Sequence, residues 1–211
     1  MDKLYWENYY SKHAFDKEIC VNSSFSTFCA NNFFQNEKLS LVDVGSGNGR
    51  DAIYFSSLGH KVIAIDQSSI GTEAMGGSDE TSNEVCFITE DFIQHDFKFP
   101  HPIDVFYSRF TIHAINKHDE EILLPKIFNS LEEDGLFCIE VRTTKDSLFG
   151  VGTDFGDNTY LTDHKRRFIN SDSFLKNTLS LGFKLLFFTE QDNLSVYGED
   201  NPTLMRMILR K

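Results

Sequence analysis

The chain is short of everything that would divide, staple or anchor it. Prolines number 4 in 211 residues, and no Gly/Ser-rich or low-complexity tract supplies a linker, so a single domain spanning 1–211 is expected. The 4 cysteines, Cys20, Cys29, Cys86 and Cys138, stand far apart without a C-x-x-C pair, a pattern that signals neither a zinc site nor a disulfide framework. No metal is expected, and reduced thiols suit the cytoplasm. No apolar run reaches membrane-spanning length, and the opening MDKLYWENYY lacks a basic stretch followed by an apolar core. Neither export nor a membrane partner is expected. Basic residues are scarce too: 20 Lys and Arg face 32 Asp and Glu, and the net charge of −12 repels phosphate backbones and anionic headgroups. Nucleic acid is not an expected partner, and HKRRF at 164–168 is the one basic cluster.

Apolar material is plentiful. Hydrophobic residues make up 40% of the chain and phenylalanine alone contributes 21, enough to fill both faces of a sheet and to argue against disorder. Up to about Asn36, YWENYYSKH and NSSFSTFCANNFF read as helices, the second capped by Ser23 or Ser24. Leu41 to Val44 opens a strand, GRDAIYFSSLG reads as a helix stopped by Gly59, and KVIAID as a strand ending at Asp66. VCFITED and IDVFYSRF follow as strands three and four. DEEILLPKIFNSLEEDG carries acid early and Gly135 late, as a helix does, with Pro125 kinking it or lying in its first turns. LFCIEVRT is strand five. SDSFLKNTLSLG is a helix capped by Ser171 or Asp172 and stopped by Gly182, and FKLLFFTE and TLMRMILRK are closing strands. Strands alternating with helices imply a mainly parallel, doubly wound α/β sheet whose ligand lies beyond the carboxyl ends of the strands, beside strand one.

The turn in LVDVGSGNGRDA falls at that place. Its glycines alternate as G-S-G-N-G, which departs from the dinucleotide fingerprint at the third glycine, and no Walker lysine follows. NAD and nucleoside triphosphates are therefore disfavoured. Taken as a unit, DVGSGNGRDAIYFSSLGHKVIAIDQS resembles class I S-adenosylmethionine-dependent methyltransferases, notably the thiopurine and tellurite-resistance branch. The resemblance runs from about 41 to 143, where SLEEDGLFCIEVR is similar to the family's helix, turn and fifth strand; Ser46 replaces a common cysteine. It implies a Rossmann-like fold with a seven-stranded, mainly parallel sheet, an antiparallel C-terminal strand, a helical cover over 1–37 and a core over 38–211. It also implies S-adenosylmethionine as cofactor, with Gly45, Gly47 and Gly49 at its amino-acid part, Asp66 and the adjoining Gln67 at its ribose, and Asp91 and Phe92 of the EDF stretch at its adenine. The alternative for Asp66 is a strand-end turn residue and for Asp91 a solvated turn or helix cap. Asp43, a charge inside a strand, needs a partner: it orients the loop, meets the cofactor's ammonium, or serves structure alone.

A sulfonium brings its own electrophile, so the protein must hold an acceptor in line and, for a hydroxyl, take its proton. Arg109 and His113 follow strand four, Arg109 as a substrate contact and His113 as a base, a contact or a packing residue. RTTKDSLFGVGTDFGDNTYLTDHKRRFIN reads as a long structureless stretch with a lid over 144–168. At its end stand His164, a second candidate base, and Arg166 and Arg167, which suit a phosphate or carboxylate or a solvated turn. With WENYYSKH, this stretch is similar to methyltransferases of bacterial capsule and surface-polysaccharide clusters. That similarity implies O-methylation of a small-molecule acceptor, a sugar or its phosphorylated or nucleotide-linked precursor. Sulfur or metalloid methylation, and cofactor binding without transfer, are the alternatives. Tyr5, Trp6, Tyr9 and Tyr10 either pack across the sheet edge or close over the ligands.

Overall fold

The computed structural model describes residues 3–13, 21–34, 38–69 and 85–211; Cys20 and the 35–37 boundary of the expected cover lie outside them. Helices α1 (Lys3–His13) and α2 (Ser24–Phe33) precede strand β1 (Ser40–Val44), helix α3 (Arg50–Ser57) and strand β2 (Lys61–Asp66). Strands β3 (Val85–Thr89) and β4 (Ile103–Arg109) follow, then a 3₁₀ turn at Ile112–Ala114, helix α4 (Lys117–Ser130) and strand β5 (Leu131–Arg142). Three short strands, β6 (Thr153–Asp154), β7 (Thr159–Leu161) and β8 (Lys165–Arg167), lead to helix α5 (Ser171–Leu181) and the closing strands β9 (Lys184–Gln191) and β10 (Leu204–Arg210).

The principal sheet has seven strands in the order β3-β2-β1-β4-β5-β10-β9. All are parallel except β10, which runs antiparallel to both β5 and β9. The order reverses at β1, and a crevice is expected over the carboxyl ends of β1 and β4 at this switch point. Strand alternation sorts the apolar residues onto two faces. On one, Val42, Val44, Ile65, Phe106, Phe137 and Ile139 pack against Leu123 and Ile127 of α4 and Phe174 of α5. On the other, Leu41, Ala64, Val105, Cys138 and Ile208 meet Phe25 and Cys29 of α2 and Ala52 and Phe55 of α3.

Several local expectations are corrected, and two left open, for Pro125 and for the cap of α2, are resolved. Helix α4 stops at Ser130 rather than running to Gly135, because Leu131 already pairs with Ile103 as the first residue of β5. Pro125 sits in the helix interior, not in its first turns. The cap of α5 is Asn170, one residue before the two expected, its side chain accepting from Ser173 N at 2.9 Å. Ser23, not Ser24, caps α2; it also donates from N and Oγ to the Asp51 carboxylate of α3, at 2.6 and 2.8 Å. The 144–168 stretch is not structureless: β6, β7 and β8 form an antiparallel three-stranded sheet of their own, with β8 against the 112–114 turn.

Candidate active site

A cleft of about 790 Å³ opens over the carboxyl ends of β1 and β4, near the upper end of the ~300–1,000 Å³ usual for small-molecule sites. Its walls come from α1, the β1–α3 loop, the β4–α4 connection, the small sheet and the 192–203 connection between β9 and β10. Among the described residues no helix is long and apolar enough to cross a membrane, and no cluster of metal-ligating side chains is found.

The β1 end of the cleft is a backbone cradle. Gly45 and Ser46 donate their N–H groups to the Ile65 carbonyl at 2.8 and 3.1 Å, which bends the chain back over β2. The turn then runs through positive φ at Gly45, Gly47 and Gly49. Close approach matters as much as φ: a Cβ on Gly45 would lie 2.4 Å from Thr111 Oγ1, and one on Gly47 2.1 Å from the Tyr10 hydroxyl. Tyr10 therefore lays α1 on the glycine turn. The Asp66 carboxylate accepts from Gly47 N at 2.9 Å and Ser68 N at 2.8 Å, tying the end of β2 to the loop while keeping lone pairs toward the cleft. Burial raises its pKa.

Asp43 is buried at 3% exposure, faces the cleft and has no hydrogen-bond or ion-pair partner among the described residues. Burial, then the nearby Asp51 and Asp66 carboxylates, pushes its pKa well above the usual range. A cationic guest beside it would favour its ionised form, as Arg109 and Arg50 already do in part. Gly45 and Ser46 of the turn, with Asp43 and Asp66, are the groups here that could hold the amino-acid and ribose parts of S-adenosylmethionine.

Other expected cofactor residues are placed differently. Gly47, Gly49, Gln67, Asp91 and Phe92 do not line the cleft. Asp91 is exposed and turns its carboxylate onto its own backbone, accepting from Ile93 N at 3.0 Å. The Phe92 ring is fully buried in the core on the α4 face, so its side chain does not flank a ligand ring. The Gln67 amide nitrogen is buried without a partner.

The rest of the cleft carries the histidines and further arginines, Arg50 standing at the glycine turn. Arg109 lines it but is engaged, donating to Glu140 Oε1 and Ser195 Oγ, both at 2.9 Å. His113 is buried, and its Nδ1 accepts the Arg142 backbone N–H at 3.1 Å. Burial, then Arg166 and Arg142, lowers its pKa well below the usual value. The ring is therefore neutral with its hydrogen on Nε2 and can only donate toward the cleft, which corrects the expectation that it serves as a base.

His164 has the opposite polarity. Its Nδ1 lies 2.9 Å from the Asp163 carboxylate, which only accepts, so Nδ1 carries the hydrogen and the Nε2 lone pair is free. The Tyr5 ring stacks on the imidazole with centroids 4.4 Å apart, and Trp6 packs edge-on at 5.4 Å. Tyr5 also donates to Asp163 at 3.0 Å. Partial burial opposes ionisation of Asp163, but hydrogen bonds from Thr162, His164 and Tyr5 outweigh it and hold the carboxyl below its usual range. Burial and Arg166 lower the His164 pKa, while Asp163 offsets part of that fall.

Arg166 lines the cleft; Arg167 does not. Neighbouring residues of a strand point to opposite faces, so two adjacent arginines of β8 cannot both meet one ligand. Arg167 turns inward to Glu120 at 2.5 Å and to the Ile115 and Ile112 carbonyls at 2.9 and 3.1 Å, which corrects its expected role as a substrate contact. The sequence reading also missed Asp163, whose adjacency to His164 is no recognisable spacing. It missed Arg142, which the parallel pairing of β5 with β4 brings to the carboxyl end of the sheet, and the 194–200 wall, which the β9–β10 connection supplies.

A doubly wound sheet with one antiparallel strand near its edge, opening at β1 into a glycine cradle flanked by acidic strand ends, is the architecture of class I S-adenosylmethionine-dependent methyltransferases. The methyltransferase-domain family matches residues 15–186, and the chain belongs to it. No curated protein matches the chain in sequence. Solved structures similar in fold include an S-adenosylmethionine-dependent methyltransferase from Clostridium acetobutylicum, at TM-score 0.69 and 12% identity over 96% of this chain and 97% of that one. Another is the Burkholderia thailandensis 1,6-didemethyltoxoflavin-N1-methyltransferase with bound 1,6-didemethyltoxoflavin and S-adenosylhomocysteine, at TM-score 0.68 and 16% identity over 99% of this chain and 88% of that one. A glycopeptide N-methyltransferase complexed with S-adenosylhomocysteine matches at TM-score 0.67 and 13% identity, with 90% of each chain covered.

Proposed function

We propose that the protein transfers a methyl group from S-adenosylmethionine to a hydroxyl of a small polar metabolite, with His164 as the general base. One observation carries the choice of acceptor: the imidazole is oriented by an ionised carboxylate on Nδ1 and offers a bare Nε2 to the cleft. The sulfonium, when bound, supplies an activated methyl group, and the protein's own work is binding, alignment and proton removal. Asp43 and the cradle hold the charged end of the cofactor, and Asp66 accepts from its ribose. Tyr10, lying on Gly47, and Trp6 and Tyr9 on the cleft wall exclude water from above. His164 Nε2 takes the acceptor's proton while Asp163 steadies the imidazolium that forms. His113 donates from Nε2 to the acceptor.

Soft sulfur or metalloid acceptors, as in the thiopurine and tellurite-resistance branch, need no base, so this dyad favours the hydroxyl reading over that one. Among hydroxyl compounds, sugars and sugar nucleotides of a bacterial surface polysaccharide are the first to test, on the resemblance of the opening helix and the 142–170 stretch to capsule-cluster methyltransferases.

The test joins calorimetry to a labelled-methyl assay. S-adenosylhomocysteine should bind and NAD should not, and label should pass to sugar hydroxyls rather than thiols. Transfer to thiols at equal rates in wild type and His164→Gln would replace the hydroxyl reading with the soft-acceptor one. Tight S-adenosylhomocysteine binding with no transfer to any of these acceptors would favour a binding protein.

A further inference from the structure

The buried arginines around the cleft are not alike. Arg142 donates to Asp146 Oδ2 at 3.1 Å and Oδ1 at 3.3 Å and also pairs with Asp200. Arg109 has Glu140 and Ser195; Arg206 has Glu140 at 2.6 Å with Ser24 and the Leu194 carbonyl at 2.8 Å; Arg167 has Glu120 and two carbonyls. Each fork is filled from within the protein. Arg166 is the exception among these five. It is 9% exposed and lines the cleft, yet no N–H of its guanidinium donates a hydrogen bond among the described residues. Its nearest carboxylate oxygen, on Asp163, stands 3.8 Å away, and that carboxylate is already taken by His164, Tyr5 and Thr162.

A guanidinium nine-tenths buried without hydrogen-bond partners costs several kcal/mol unless a ligand supplies them, and a planar fork of donors matches an oxyanion. Burial and the neighbouring Arg142 already weigh against its charge. We infer that the methyl acceptor carries an anionic group, a phosphate or a carboxylate, that Arg166 grips. The position is informative too. His164 and Arg166 stand two residues apart on one face of the β8 segment, about 6–7 Å from Cα to Cα, so the group that loses its proton and the group that is gripped belong to one compact molecule. Lys165, between them, faces away with its ammonium 4.2 Å from the Phe155 ring centroid, and Arg167 faces the core. In a chain of net charge −12, an anionic acceptor needs such a dedicated cation to be held. The inference rests on the methyltransferase reading and names the class of its acceptor: a hydroxyl compound with an oxyanion a few bonds from the hydroxyl.

Trp6, the single tryptophan of the chain, sits on the same wall against His164 and reports on this end of the cleft. Wild type loaded with S-adenosylhomocysteine is titrated with inorganic phosphate and, separately, with acetate, with sodium chloride at matched ionic strength as control. At least one oxyanion should change Trp6 emission saturably and chloride should not. The half-saturation concentration should rise about 10- to 100-fold in Arg166→Gln and stay at the wild-type value in Lys165→Gln. Arg166→Lys, which keeps charge but loses the fork, should fall between and serves if the glutamine variant does not fold. A response to phosphate alone assigns a phosphorylated acceptor, and to acetate alone a carboxylate. No saturable response in wild type, or an unaltered titration in Arg166→Gln, overturns the inference. So does weakened S-adenosylhomocysteine binding in that variant, which would give Arg166 to the cofactor. These failures leave the methyltransferase reading in place, whereas absence of S-adenosylhomocysteine binding by wild type would remove that reading itself.

Discussion

The two ends of the cleft are built by different means. At the β1 end, Asp43, the glycine turn and Asp66 all come from one strand–turn–helix–strand unit of 24 residues, 43–66, in which Gly47 N donates to the Asp66 carboxylate. At the far end, Tyr5, His113, Arg142, Asp163, His164 and Arg166 are drawn from five separate elements and meet only when the small sheet packs on the 112–114 turn and α1 folds over both. The electrostatics are opposed as well. One end holds a buried carboxylate and the other a buried guanidinium, neither with a hydrogen bond among the described residues, and the nearest carboxylate to that guanidinium stands 3.8 Å away. A ligand with a cationic end and a ligand with an anionic group would lie in it side by side with their charges matched. Chemistry common to a whole class is carried by the local unit, and chemistry particular to one acceptor by the assembled one.

The comparison breaks most visibly at His164. Replacement by Gln should cost about 10²–10⁴-fold in single-turnover methyl transfer and leave S-adenosylhomocysteine affinity within about twofold, since only the acceptor end loses a group. The rate should fall as pH drops through the His164 pKa, which lies below the usual value, so activity is full at neutral pH. Asp163→Asn removes the one group that raises that pKa, so the acid limb of the profile should move to lower pH as the rate declines. A merely structural Asp163 would lower activity without moving the limb. His113→Gln should leave the limb in place and raise the acceptor's KM.

At the other end, Asp66→Ala and Asp43→Asn should each weaken S-adenosylhomocysteine binding by about 1–3 kcal/mol, measured by calorimetry, with the oxyanion response of Trp6 unchanged. If either substitution disturbs that response, the two ends are not independent.

Smaller effects fall on stability. The Asp43 pKa is raised on folding, so this group favours the folded state only where it is protonated, and its contribution is lost as pH rises above the ordinary carboxylate range. Asp43→Asn should therefore stabilise the ligand-free protein at pH 7 by roughly 1 kcal/mol, seen as a Tm higher by about 2–4 °C, even as it weakens cofactor binding. His113 shifts the other way. Its folded pKa lies below that of the unfolded chain, so stability is complete above about pH 6.5 and declines as pH falls below it. A wild-type Tm that decreases between pH 7 and 5, and decreases less in His113→Gln, is the expected result.

Much of this was open to inspection in the residues alone. The strand–turn–helix pattern around Gly45 to Gly49, the stop at Gly59 and the acid at the end of β2 are local: they need only φ freedom, apolar periodicity and a terminal carboxylate, and these leave marks within a few residues. The same local grammar placed the seven strands of the principal sheet, whereas the antiparallel course of the last was implied only by the family resemblance. It misjudged Leu131, because whether a residue ends a helix or begins a strand was decided by its pairing with Ile103. It treated Arg166 and Arg167 as a pair, because the alternation that parts them exists only once β8 has a partner in β7. It offered His113 and His164 as equivalent bases. Only the folded chain, by placing the Arg142 N–H on one Nδ1 and the Asp163 carboxylate on the other, made one ring a donor and left the other a bare lone pair. Backbone conformation is written over short spans of sequence; the direction of a hydrogen bond is set by whichever distant group the packing brings to the second nitrogen.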